Sequence, residues 1–144
     1  MNYDNKFEKI RKISLATTNK LLVDNAIVNV IYFNGAFFFG SFDYTTKCRF
    51  IEKNNLVAIA FDEFQIHCLC KKIEKNDNNF TQIHNQYEKK FPSIAKMIYL
   101  DNNYYYMLVP LVIWKYNYST NKRETTILNE KYYKQLNPYD NILK

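Results

Sequence analysis

Residues 25–33 read NAIVNVIYF, Asn34-Gly35 follow, and residues 36–40 read AFFFG. The first run is apolar and β-branched with almost no polar face. That is the pattern of a strand covered on both sides, either inside a barrel or by a second subunit. Asn-Gly between two such runs is a strong hairpin signal, because a type I′ turn needs positive φ at both central residues. The chain is therefore expected to turn straight back, which anchors the fold on an antiparallel pair.

Upstream, residues 4–11 place Phe7 and Ile10 three apart behind Asp4 and Asn5, the spacing of a short helix, and ISLAT (13–17) is a first strand. Downstream, a helical stretch runs to about Lys53 and is closed by Asn54-Asn55. LVAIAF (56–61) is another buried strand. Residues 64–74 alternate, with Gln65, His67 and Leu69 on one face and Ile66, Cys68 and Cys70 on the other. Residues 80–90 read as a helix, and Pro92 opens a second short one over 93–99. Residues 104–109 and 111–118 are expected as two strands interrupted at Pro110, which has no N–H to give a ladder. Residues 124–128 form a last short strand, and the tail, 129–144, is polar and peripheral. About seven short strands, two or three helices and no βαβ rhythm predict a mainly β fold, a closed antiparallel barrel.

The length, 144 residues, fits one domain, with its core at about 10–118. Hydrophobic residues make up 47%, which supports a packed core and argues against disorder. The net charge is +6, yet only three of the twenty basic residues are arginine: Arg11, Arg49 and Arg123. Phosphate and base-edge recognition favour arginine's planar fork, so this diffuse lysine charge counts against nucleic acid. No stretch approaches the roughly 20 apolar residues that span a bilayer. The first eighteen residues lack a signal-peptide apolar core, so the expected compartment is the cytoplasm. Cys48, Cys68 and Cys70 are odd in number, and the last two share a strand face, where they pack as small hydrophobes.

Catalytic templates are absent: no P-loop, GxGxxG, GxSxG, CxxC or HExxH occurs. His67 and His84 lie on different elements without metal-ligand spacing, and both read as structural. His67 cannot join Cys68 and Cys70 at a metal, because strand neighbours point to opposite faces. One segment does favour an anion: GSFDYTTK, Gly40 to Lys47, between a buried strand and a helix N-terminus. Unpaired N–H groups and the helix dipole act there. Ser41, Thr45 and Thr46 add hydroxyls, Lys47 adds a charge, and Gly40 permits close approach. The alternative is ordinary capping by Asp43 or Thr45 with Lys47 solvated. Local physics weighs the two evenly.

Taken together, ISLAT, NVIYFNGAFFFGS, TTKCRFIEKNNLVAIAF and FQIHCLC resemble, in order and spacing, the pyridoxamine 5′-phosphate oxidase-like family of FMN-binding split β-barrels. The similarity spans about residues 10–118. It implies a homodimer with FMN at the subunit interface, acting on a small redox substrate, with NAD(P)H as a candidate partner. Position by position, Ser41 matches the Ser/Thr after the aromatic strand, and Thr45, Thr46 and Lys47 match the phosphate-binding Ser-Arg-Lys. Gln65 matches a glutamine that reaches the flavin, and the backbone of Asn29, Val30 and Ile31 falls where the ring lies against a strand. Tyr32, Phe42 and Trp114 are candidates for stacking near the ring. Thr46 stands where the vitamin B6 oxidases carry arginine, and their C-terminal Arg/His substrate motif has no counterpart after Trp114. The resemblance thus implies a short flavin reductase-like member with no identified catalytic acid or base. Its alternative is a non-catalytic flavin- or haem-binding module on the same fold.

Overall fold

The computed structural model describes residues 2–136. Among them, eight strands form one antiparallel sheet: β1 Lys12–Thr18, β2 Val23–Asn29, β3 Ile31–Phe33, β4 Ala36–Phe42, β5 Leu56–Phe61, β6 Phe64–Ile73, β7 Asn103–Asn117 and β8 Lys122–Ile127. Helices α1 Asp4–Glu8, α2 Thr46–Lys53, α3 Phe80–Lys90, α4 Pro92–Ala95 and α5 Glu130–Leu136 surround it, with a 3₁₀ turn at Lys96–Tyr99. Neighbours run in the order β2-β1-β5-β6-β7-β4-β3, with β8 added to β7. The mainly β, antiparallel class expected from the sequence is the one observed.

The hairpin forms as read. Asn34 and Gly35 take φ of 51° and 78°, and Phe33 pairs with Ala36. The run before it needs correction, because residues 25–33 are not one strand. The chain leaves β2 at Asn29, crosses at Val30, whose N–H donates to the Arg11 carbonyl at 2.9 Å, and re-enters the sheet as β3. β2 and β3 are the two ends of the strand order, so this single residue joins the edges of the barrel. Within the single chain its faces differ: Val28 faces the interior, while Ile27 is 68% exposed, as is Val23 just before the run at 85%.

Pro110 does not split β7. Cys68 pairs with Pro110 and His67 with Val112, which leaves Leu111 as an extra residue in a bulge, the place where a sheet tolerates proline. On its other edge β7 pairs with β4 through Leu108 and with β8 from Val112 onward. The hand-over spans the residue that cannot donate. Leu111 then accepts both the Leu128 and Asn129 N–H groups, at 2.9 and 3.0 Å. The tail is peripheral in its described part and gains a helix: residues 130–136 form α5, none of them buried, with Tyr132 and Tyr133 packed on Leu111, Val112 and Trp114. The remainder, 137–144, lies outside the described residues.

The barrel interior holds Ile13, Leu15, Phe37, Phe39, Ile59, Ile66 and Leu108, and all three cysteines face it. A second cluster lies on the outside of β3, β4 and β7 under α3 and α4, with Phe38, Ile83, Phe91 and Tyr105. Among the described residues no helix is long and apolar enough to cross a membrane. Phe7 of α1, fully buried, plugs one end of the barrel against Tyr32, Phe37, Phe61 and Phe64, with ring centroids 4.9–5.5 Å away. The Tyr32 hydroxyl clamps the helix from below by donating to Asp4 at 2.6 Å. Removing the Phe7 ring leaves a cavity its neighbours cannot fill. Phe7→Ala is therefore expected to lower stability by about 3–5 kcal/mol in urea unfolding. A loss under about 1 kcal/mol would show that α1 is only an appendage.

Candidate functional site

The segment 40–47 spans the end of β4, a turn and the start of α2. The turn is held by local hydrogen bonds to one acceptor. The Ser41 and Thr45 hydroxyls donate to the Phe42 carbonyl at 3.1 and 3.0 Å and lie 3.2 Å from each other. Thr45 occupies the N-cap position in extended conformation, but its hydroxyl is turned back to Phe42 and no side chain caps the helix. The capping alternative is thus not what the structure adopts, and the donors of the first turn of α2 are left for another acceptor. Lys47, in that turn, has no ion pair among the described residues. Asp43 is held apart from it by Lys72, at 3.9 Å.

These residues open onto a cleft of about 280 Å³ between the end of β4 and the α3–α4 layer. Gly40, Ser41, Thr45 and Lys47 line it, as does Phe42. Thr46 does not line it and is exposed. The β3–β4 ladder ends at Ile31–Phe38, so β4 beyond Phe38 has no partner on that edge, and the cleft lies along it. Val30 and Ile31 are buried, Val30 in the barrel and Ile31 under α3; their side chains stand outside the cleft. Asn29 ends β2, paired with Lys12. Gln65 is exposed toward the other end of β6, between Ala60 and Trp114, and is not brought to Lys47. Of the stacking candidates only Phe42 reaches the cleft; Tyr32 is inside the barrel and Trp114 is beside His67.

The sequence reading missed the opposite wall. Tyr87 of α3, Asn103 and Tyr105 of β7, and Ile94, Ala95 and Ile98 complete the cleft. The Tyr105 hydroxyl is engaged with His84 Nδ1 at 2.7 Å, and His84 Nε2 faces Glu88 at 3.7 Å. Burial pushes Tyr105 well above the usual phenol range and Tyr87 up to about 12, so neither phenol is a base near neutral pH. The cleft is equipped to hold an anion and an apolar body, with acid–base work left to a ligand or substrate.

His67 lies elsewhere, half-buried on the outer face of β6. Its Nδ1 is 2.7 Å from the Tyr132 hydroxyl of α5, and its ring meets Trp114 edge-on. A second cleft beside it, about 320 Å³, is walled mainly by carbon from Val23, Leu56, Val57 and Ala58. Among the described residues no three His, Cys, Asp or Glu side chains converge as a metal site.

No family model matches the sequence, and no curated protein does. Solved structures do match in fold. HutZ, the haem storage protein of Vibrio cholerae, is 15% identical with a TM-score of 0.67, covering 85% of this chain and 90% of that one. A FAD-binding protein of Mesorhizobium loti is 8% identical with a TM-score of 0.63, covering 78% and 90%. A candidate pyridoxamine 5′-phosphate oxidase of Listeria innocua is 14% identical with a TM-score of 0.56, covering 86% and 93%. At these identities the likeness is one of fold: the split barrel of the pyridoxamine 5′-phosphate oxidase-like proteins.

The His67–Tyr132 contact has a pH signature. Burial holds the imidazole below its ordinary 6.5. Between 6.5 and that lower value the unfolded chain binds a proton that the folded chain does not. Stability should therefore fall as pH drops below about 6.5. Urea midpoints measured from pH 7.5 to 5.5 should fall less for His67→Gln than for the parent; equal slopes would show that His67 is not the group responsible.

Proposed function

On this split barrel, we propose that the chain is a cytoplasmic FMN-binding homodimer and an oxidoreductase for a small molecule, with reduced nicotinamide as a candidate donor. One observation carries the reading: Gly40, Ser41, Thr45 and Lys47 gather in one cleft at a helix start that no side chain caps. The donor set fits a phosphate monoester. Lys47 supplies the charge, the Ser41 and Thr45 hydroxyls can turn from the Phe42 carbonyl to the anion, and the first-turn N–H groups complete the shell. Phe42 and the carbon wall opposite suit the apolar part of the ligand. The flavin, when bound, supplies the hydride chemistry; the protein supplies grip and orientation.

The homodimer is supported by size and by surface. A cleft of about 280 Å³ is at the low end for a cofactor, where sites of roughly 300–1,000 Å³ are usual. One protomer would hold the phosphate end and a second would cover the ring. Val23 and Ile27 of β2 and Leu56 of β5 are exposed, an apolar surface suited to a partner copy.

A yellow preparation that releases FMN, and a rise in melting temperature with added FMN, are the expected results. A colourless protein with no thermal shift in excess FMN overturns the reading. Lys47→Ala should weaken FMN binding by about tenfold or more, as loss of a charge-assisted contact requires. Unchanged affinity refutes the phosphate assignment. Sedimentation should show a dimer, and Ile27→Glu, at an exposed position, should shift it to monomer and weaken FMN binding while leaving the fold intact. A monomeric parent protein would remove the homodimer from the proposal.

The second reading is a haem-binding module, favoured by His67. Its Nδ1 is oriented by Tyr132 beside a carbon-lined cleft, and its lowered pKa keeps the imidazole neutral, as a metal ligand must be. Titration with haemin should then give a Soret shift that His67→Ala abolishes; no shift removes this reading.

A further inference from the structure

Among the described residues, two buried polar side chains in the cleft lined by Lys47 have no hydrogen-bond partner. Tyr87 and Asn103 are each 5% exposed, and among the described residues neither side chain makes a hydrogen bond. Their polar atoms are not sealed off, because Thr17 Oγ1 alone is both enclosed and unpaired among the described residues. Both residues line the cleft that also holds Gly40, Ser41, Thr45 and Lys47. Tyr87 reaches its floor: the hydroxyl stands 3.9 Å from where a Cβ on Gly40 would sit. The neighbouring Tyr105 shows the contrast, its hydroxyl already engaged by His84.

We propose that Tyr87 and Asn103 read neutral hydroxyl groups next to the phosphate, so that the site selects a phosphorylated polyol. The inference rests on the reading of Ser41, Thr45 and Lys47 as the phosphate end. Among the described residues Lys47 is the one cation lining the cleft, which leaves no charge there for a second anionic group. A phenol and a carboxamide each donate and accept, as sugar-alcohol hydroxyls do. With its proton held up to about 12, Tyr87 remains a donor throughout the physiological range. A ligand that set only carbon against them would leave both groups buried and unpaired, a loss that discriminates strongly. The ribityl phosphate of FMN has the required chemistry, and so does a free sugar phosphate.

The test is calorimetric titration of the parent, Tyr87→Phe, Asn103→Leu and Lys47→Ala proteins with FMN, lumiflavin, ribose 5-phosphate and inorganic phosphate. Tyr87→Phe should weaken FMN and ribose 5-phosphate on the order of tenfold and leave inorganic phosphate and lumiflavin, which lacks the hydroxylated chain, unchanged. Lys47→Ala should weaken every phosphate ligand. Should Asn103→Leu fail to fold by circular dichroism, Tyr87→Phe alone decides. If the parent binds FMN and Tyr87→Phe binds it equally well, the hydroxyl inference is overturned while the flavin reading stands. If ribose 5-phosphate binds with the expected Tyr87 dependence and FMN does not, the flavin reading falls and the inference stands. If neither ligand binds the parent, both fall.

Discussion

Closure of the barrel turns on one residue. β2 and β3 belong to a single apolar run, yet they pair with strands at opposite ends of the sheet order, and only Val30 lies between them. Its N–H is taken by Arg11 and its side chain is wholly buried, so the crossing is fixed at backbone and side chain alike. Because β3 is three residues long, it can cover only the first half of β4. The rest of that edge is left unpaired, and the anion-favouring turn sits at its end. The crossing that shuts the barrel also leaves open the cleft beside it.

The two outer faces of the sheet are treated differently. Behind β3, β4 and β7, helices α3 and α4 bury a second apolar cluster and supply one wall of the cleft. On β2 and β5, Val23, Ile27 and Leu56 remain exposed. Helix α5 packs on the β6–β7 side, through Tyr132 on His67 and the packing of Tyr133. The rim of the cleft is electrically simple: Asp43 is drawn toward Lys72, whose ammonium also lies 4.0 Å from the Tyr104 ring centroid, so Lys47 is not neutralised from within.

What could be read from the sequence was whatever local chemistry dictates. Asn34-Gly35 demanded its turn because few other pairs accept two positive φ angles. The alternation of Gln65 to Cys70 fixed which residues point inward, and Gly40 to Lys47 was recognisable because a strand end, hydroxyls and a lysine precede a helix. The break at Val30 was not readable, since an apolar run looks the same whether it pairs once or switches partners. Pro110 signalled trouble in β7 but could not say whether the strand would end or bulge. Tyr87 and Asn103 were hidden because they lie 40 and more residues from Ser41 in sequence. Only the packing of α3 and β7 against β4 brings them to it, and no spacing rule encodes that. Tyr132 had the same disadvantage, sitting in a polar segment whose tyrosines gave no periodic face.

The three cysteines on the interior face have a practical consequence. All are free and buried, and burial pushes the Cys70 thiol up to about 12 and Cys68 higher still. At neutral pH neither of these two offers thiolate to an electrophile, and both lie buried on a strand paired on both edges. Alkylation of Cys68 and Cys70 then requires the barrel to part. Mass-resolved labelling of the native protein would count opening events molecule by molecule, making the sulfurs an internal clock of the closure that Val30 enforces.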